Sequence, residues 1–211
     1  MTTLATVLIV APLVVAAADW WAVSADRRSI EYVLKPLTMV VLIAAVLAME
    51  PTSDDARLFI VAGLVCSLAG DVFLMLDEKF FLGGLVAFLL GHVMYVIGLL
   101  QFDIEPPLLM VGVVLVLIAA AVIGSRVVAG ARKFDDRLMV PVAVYLSIIS
   151  LMVVTAFGTA IPIAIAGALL FYASDGVLGY NRFVQAIPHG RLLIMTTYHL
   201  GQIGLALALV A

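Results

Sequence analysis

Three carboxylates stand inside long apolar runs of this chain: Asp19, Asp71 and Asp175. A carboxylate in hydrocarbon costs about 2.5–3.5 kcal/mol on insertion scales, so such a group faces a protein interior and has a task there. Asp71 follows Ser67 by four positions, on one helix face, and Gly70 beside it allows a neighbouring helix to come close. Asp175 lies in Ala173-Ser174-Asp175-Gly176, again among small residues. Two such acids at matched depth point to acid–base chemistry by a carboxylate pair. The alternative is structural, each acid bonding a neighbouring helix. Asp19 lies nearer a loop, where its carboxylate is expected to reach the interface.

The other apolar runs supply partners. His92 and Tyr95 are three apart, Tyr198 and Gln202 four apart, and each pair shares a helix face. A histidine inside a span carries protons, binds metal or packs by hydrogen bonding; His92 is a candidate for direct chemistry, and His199 is a weaker one. Tyr95, Tyr198 and Gln202 read equally as substrate contacts or as packing, and Tyr145 and Tyr172 read as core. Lys35 opens a span directly before Pro36, which suits a first helical position. A cation there can hold a lipid phosphate, so losing it is expected mainly to weaken binding. No HExxH, GxSxG, Walker A loop or structural-zinc Cys/His spacing is present. No metal or cofactor is therefore signalled, although Asp71, Asp175 and His92 together could ligate one.

These residues need elements to position them, and composition dictates which. Of 211 residues, 65% are hydrophobic and 12% charged, against about 25% charged in soluble domains, so the bilayer is the expected solvent. Eight runs approach the roughly 20 residues a span needs: about 3–23, 33–49, 57–76, 80–101, 107–124, 138–157, 160–180 and 191–210. They are continuously apolar and do not alternate, which favours helices over a barrel. The expected architecture is all-α, a polytopic bundle of eight transmembrane helices forming one membrane domain over 1–211. The odd-numbered loops hold ten of the eleven Lys and Arg residues, leaving Arg57 alone on the even ones. The positive-inside rule then puts the odd loops in the cytoplasm of a cell (inner) membrane, with both termini outside. Trp20 and Trp21 fall near the cytoplasmic interface. Residues 4–18 resemble a cleavable leader but lack a basic stretch before them. Cys66, inside the third run, reads as a small packing residue.

Asp71 and Asp175 both end odd spans, so both approach the cytoplasmic side, roughly 8 Å below it at 1.5 Å per residue. Equal depth lets them share a cavity. The halves also correspond: Pro36 and Pro141 are 105 residues apart, Asp71 and Asp175 104, His92 and His199 107. Four spans per half would make these two parallel four-helix repeats.

An ordered set of short stretches resembles one family. Lys35-Pro36-Leu37, Leu68-Ala69-Gly70-Asp71, Phe88 with His92-Val93-Met94-Tyr95, Ala173-Ser174-Asp175 with Asn181, and Tyr198 with Gln202 resemble the YhhN family of integral membrane lysoplasmalogenases. The resemblance implies hydrolysis of the vinyl-ether bond of a lysoplasmalogen to a fatty aldehyde and glycerophospho-ethanolamine or -choline. It implies Asp71, Asp175 and His92 as catalytic, with Lys35, Tyr95, Asn181, Tyr198 and Gln202 as substrate contacts. It implies a lysophospholipid and the bilayer as partners, and neither nucleic acid nor cofactor. Vinyl-ether cleavage protonates the β-carbon and gives an oxocarbenium ion, the problem that glycosidases meet with two carboxylates. One aspartate would donate the proton and the other stay ionised. A lipid or proton-coupled transporter, a metal-dependent hydrolase of another lysolipid and a non-catalytic lipid-binding protein are the competing readings.

Overall fold

Where water is absent, a helix satisfies every backbone N–H and C=O within itself, and this sequence folds accordingly. The computed structural model describes residues 3–211, with side-chain surroundings from residue 10 onward. Its helices are α1 Thr3–Ser24, α2 Arg28–Ala48, α3 Asp54–Met75, α4 Phe81–Leu99, α5 Pro106–Phe134, α6 Met139–Gly158, α7 Pro162–Phe183 and α8 Gly190–Leu207. Among the described residues seven helices, α2 to α8, are long and apolar enough to cross a membrane, and α1 is apolar over Val10–Ser24. The chain is a multi-pass, all-helical membrane protein. The placement of the N-terminus expected above falls on Met1 and Thr2, outside the described residues.

Two boundaries differ from the sequence reading. Helix α2 begins at Arg28 rather than near residue 33, which puts Pro36 in its interior and Lys35 two turns inside, buried. Pro36 cannot bond the carbonyl one turn earlier, yet the helix continues around it. Helix α5 runs ten residues past its apolar stretch, through a π-turn at Ala120–Gly124. That extension is amphipathic: Val127 and Ala131 are buried while Arg126, Arg132 and Lys133 are exposed. Charge therefore marks the end of the apolar run but not the end of the helix.

Short connections fold consecutive helices into hairpins, α1–α2, α3–α4, α5–α6 and α7–α8, with α4–α6 and α1–α8 contacts closing the bundle. One end carries the basic loops and is tied together there. Arg191 at the start of α8 reaches Asp26 at 3.0 Å and also Glu31 on α2. Its hydrogen bond holds the exposed Asp26 carboxyl below the usual carboxylate range. Arg182 on α7 pairs with Glu78 before α4. At the opposite end the Thr52 N–H donates to the Leu209 carbonyl at 2.8 Å, and the Glu105 N–H to the Gly158 carbonyl at 2.7 Å.

Between apolar helices, close packing replaces the hydrophobic effect as the driving force, so small residues line the tightest seams. A Cβ on Gly63 of α3 would lie 2.3 Å from the Tyr95 ring of α4, and one on Gly167 of α7 would lie 2.6 Å from the Leu205 nitrogen of α8. The buried stripes of α3 and α7 share one register: Ile60, Leu64, Ser67 and Asp71 against Ala164, Ala168, Phe171 and Asp175. Each stripe ends on its aspartate, near the basic end.

Candidate active site

Asp71 is held on both oxygens. The Lys35 ammonium lies 3.1 Å from its Oδ1, and the Tyr198 hydroxyl donates to its Oδ2 at 2.7 Å. Both partners are donors, so Asp71 is satisfied as an ionised acceptor. Helices α2, α3 and α8 each contribute one of these groups. Lys35 reaches Asp71 because α2 starts early and carries it inward. The sequence reading placed this lysine at the interface; its side chain is 7% exposed.

Asp175 is held differently. Tyr145 of α6 donates to its Oδ2, and the His92 Nε2 of α4 lies 3.7 Å from the same oxygen. That separation is too long for a hydrogen bond. Among the described residues, neither ring nitrogen of His92 has a hydrogen-bond partner. The imidazole is instead packed edge-on to the Tyr145 ring at 5.3 Å and tilted over Phe171 at 4.6 Å. Tyr145 read as core in the sequence. A lone tyrosine in an apolar run carries no periodic signal, and its bond to an aspartate 30 residues away is a product of packing.

A third set links α3, α4 and α8. Tyr95 donates to Gln202 Oε1 at 2.5 Å, so its own oxygen accepts from Ser67, 3.4 Å away. Tyr95 and Gln202 occupy corresponding positions of the two halves and meet each other near the bundle centre. Two other residues are anchored elsewhere. Trp20 donates to His199 Nδ1 at 3.1 Å, pinning α1 to α8. Asn181 accepts the Ile187 N–H at 2.8 Å and shapes the loop before α8. The structure does not bring Asn181 to the two aspartates. Asp19 does not reach the interface as expected: it is fully buried, and neither oxygen has a hydrogen-bond partner among the described residues. Lys35, Glu31, Asp71 and Arg191 are its charged neighbours.

Asp71 and Asp175 face one cavity of about 200 Å³. It runs from Arg28 and Arg191 at the basic end, past Lys35, to the two acids and Tyr198. Two carboxylates of unlike surroundings on one cavity can divide the roles of acid and ionised partner. Among the described residues, no three His, Cys, Asp or Glu side chains cluster as metal ligands. Both oxygens of Asp71 are engaged by Lys35 and Tyr198.

The chain has curated relatives. Lysoplasmalogenase TMEM86B of Homo sapiens is 32% identical over 175 residues, covering 83% of this chain and 73% of that protein. Lysoplasmalogenase TMEM86A of Homo sapiens is 32% identical over 166 residues, 73% of this chain and 65% of that protein. Lysoplasmalogenase of Mycobacterium tuberculosis (strain CDC 1551 / Oshkosh) is 33% identical over 153 residues, 70% of this chain and 58% of that protein. The chain thus spans less than two thirds of the length of the latter two relatives. No solved structure matches it. Residues 30–209, which include both aspartates, Lys35, Tyr198 and Arg191 of the cavity, match the YhhN family model, and the chain belongs to the YhhN family.

Proposed function

We propose that this chain is a membrane lysoplasmalogenase, which adds water across the vinyl-ether bond of a lysophospholipid. The products are a fatty aldehyde and a glycerophospho-ethanolamine or -choline. Kinship to proteins named lysoplasmalogenase supports the reaction. The observation that carries the mechanism is the unlike setting of two buried acids on one cavity, one beside an ammonium and the other beside a phenol and an imidazole.

Asp175 donates its proton to the β-carbon of the vinyl ether. Its Oδ1 has no protein partner among the described residues, while Tyr145 fixes Oδ2. The electron pair of the double bond forms the new C–H bond, and the ether oxygen stabilises the α-carbon as an oxocarbenium ion. Asp71, kept ionised by Lys35 and Tyr198, stabilises that cation and takes a proton from the attacking water. The resulting hemiacetal collapses: Asp71 gives its proton to the departing glycerol oxygen, and the hemiacetal hydroxyl loses its proton to Asp175 as its carbon becomes the aldehyde, which restores both acids. Water and the vinyl ether supply every atom of the two products. His92 packs edge-on against the Tyr145 ring and so holds the phenol that donates to Asp175.

The basic end is read as cytoplasmic, because ten of the eleven Lys and Arg residues lie at or toward it. A lysolipid keeps its phosphate at the interface and its chain in the core. Arg28 and Arg191 at the cavity mouth, with Lys35 below them, then face the phosphate. Lys35 has three donors and spends one on Asp71.

The test is aldehyde release by the purified protein in detergent. A vinyl-ether lysolipid is offered beside its saturated alkyl-ether and ester counterparts, with folded Asp71→Asn and Asp175→Asn variants. Aldehyde from the vinyl ether alone, lost in both variants, is expected. Fatty acid from the ester, or aldehyde formation that survives both substitutions, would overturn the reading.

A further inference from the structure

Asp175 borders three adjoining spaces of different character. The polar cavity reaches it from the basic end. A narrow space of about 40 Å³ shares Leu74, Phe88 and Leu178 with that cavity. Beyond it, a groove of about 580 Å³ between α5, α6 and α7 shares Val127 and Leu146 with the narrow space. Asp175 is common to the linings of all three.

The groove differs from the cavity in chemistry. Ile123, Ile149, Leu169 and Val177 make it hydrocarbon-like, and the cation in its lining, Arg126, lies toward the basic end. Small residues keep it open. A Cβ built on Gly176 would meet nothing within 4 Å, and the α5 wall carries Ala119 and Gly124 at the two ends of its π-turn. A π-turn inserts a residue into the helix and turns the following face, a feature that recurs at functional sites. From Asp175 the α7 wall runs six residues to Leu169, about 9 Å toward the bundle middle. Outside the groove α5 exposes Val114, Leu117, Ile118 and Val122, so this side of the bundle faces lipid.

We propose that the groove between α5, α6 and α7 holds the single hydrocarbon chain of the lysolipid, with the reacting bond at Asp175 and the phosphate in the polar cavity. This rests on the lysolipid hydrolase reading above. The substrate has a charged head, one reacting bond and one apolar chain, in that order. Cations, carboxylates and hydrocarbon follow in the same order from cavity to groove. One groove takes one chain; a second chain on the glycerol would have to enter the polar cavity, so two-chain lipids are excluded.

Two measurements test it. In the first, Gly176→Phe and, from the opposite wall, Gly124→Leu fill the groove. kcat/KM is then compared for a long-chain alkenyl lysolipid and its propenyl analogue. Both variants should lower the long-chain value relative to the short-chain one by roughly 10–200-fold, the discrimination a filled apolar pocket provides. An equal fall for both substrates overturns the assignment. In the second, a non-hydrolysable alkyl-ether lysolipid with a diazirine at its chain end is photo-crosslinked to the full chain in detergent. Labelling of α5, α6 or α7 along the groove is expected, and labelling confined to α3, α4 and α8 overturns the proposal. Crosslinking reads the groove even if a variant folds poorly. If the unaltered protein turns over neither vinyl ether, the hydrolase reading fails, while the label still decides whether the chain lies in the groove.

Discussion

Replacing Lys35 with methionine removes an ammonium from beside a buried carboxylate and little else. Lys35 Nζ is 3.1 Å from Asp71 Oδ1, and the two side chains are 7% and 1% exposed. Methionine is unbranched and of similar length, so the stem packing is kept. Removing one partner of a buried pair costs about 3–5 kcal/mol, because the other charge is left uncompensated. Tyr198 still donates to Asp71 at 2.7 Å, which places the expected loss at the low end. The assay is a double-mutant cycle of Lys35→Met with Asp71→Asn, read by denaturation of the purified protein in detergent. A coupling of at least about 2 kcal/mol is expected, with the double variant more stable than Lys35→Met alone. Activity follows the same logic. If Lys35 served only the phosphate, its loss would raise KM and spare turnover. As the counter-ion of Asp71 it also lowers kcat, by about a hundredfold for 3 kcal/mol of lost stabilisation. A cycle additive within about 0.5 kcal/mol, with kcat unchanged, would refute the ion pair as a working part of the site.

Other outcomes follow from the same geometry. Tyr145→Phe deletes the donor to Asp175 and keeps the ring against His92; Asp175 gains charge as it gives up its proton, and a hydrogen bond to a charged group is worth about 1.5–3 kcal/mol, so kcat should fall about 10- to 100-fold. KM should stay within about twofold, since in this account Tyr145 acts through Asp175 and not on the substrate. Steady-state kinetics on the vinyl-ether lysolipid separates the two constants. Gly167→Val places a side chain 2.6 Å from the Leu205 nitrogen, against backbone that cannot move aside. Thermal unfolding should show a loss of about 1–3 kcal/mol or more, and a stability within error of the parent would mean that α7 and α8 do not pack this closely.

The number of helices was legible because each apolar run must bury its backbone bonds within itself. The boundaries that escaped are those where tertiary contacts decide. Arg28 and Glu31 read as loop by polarity, yet they form the first turn of α2, and Glu31 is paired there by Arg191 from the far end of the chain. Arg126, Arg132 and Lys133 ended the fifth apolar run on paper, while Val127 and Ala131 carry the helix onward against α7. The two aspartates stood out because a carboxylate in hydrocarbon needs a reason. Their partners did not stand out equally. Lys35 is visible as a cation but reads as interfacial, since a helix starting at Pro36 leaves it there. Tyr145 was invisible, because nothing in an apolar run marks which aromatic ring will meet an acid. Asp19 misled in the opposite direction: its closeness to a loop suggested water, but the Trp20–His199 bond holds that turn of α1 against α8. The groove beside Asp175 arises from three helices meeting and has no linear trace.

The most direct test of the central claim follows the proton. The purified protein is given vinyl-ether lysolipid in heavy water, and the aldehyde is reduced to the alcohol as it forms. If a protein carboxyl protonates the β-carbon, the product carries one deuterium on the carbon next to the former aldehyde carbon, and Asp175→Asn abolishes its formation. Aldehyde released without deuterium at that carbon, or formed at the parent rate by Asp175→Asn, would contradict proton transfer from Asp175 as the first step.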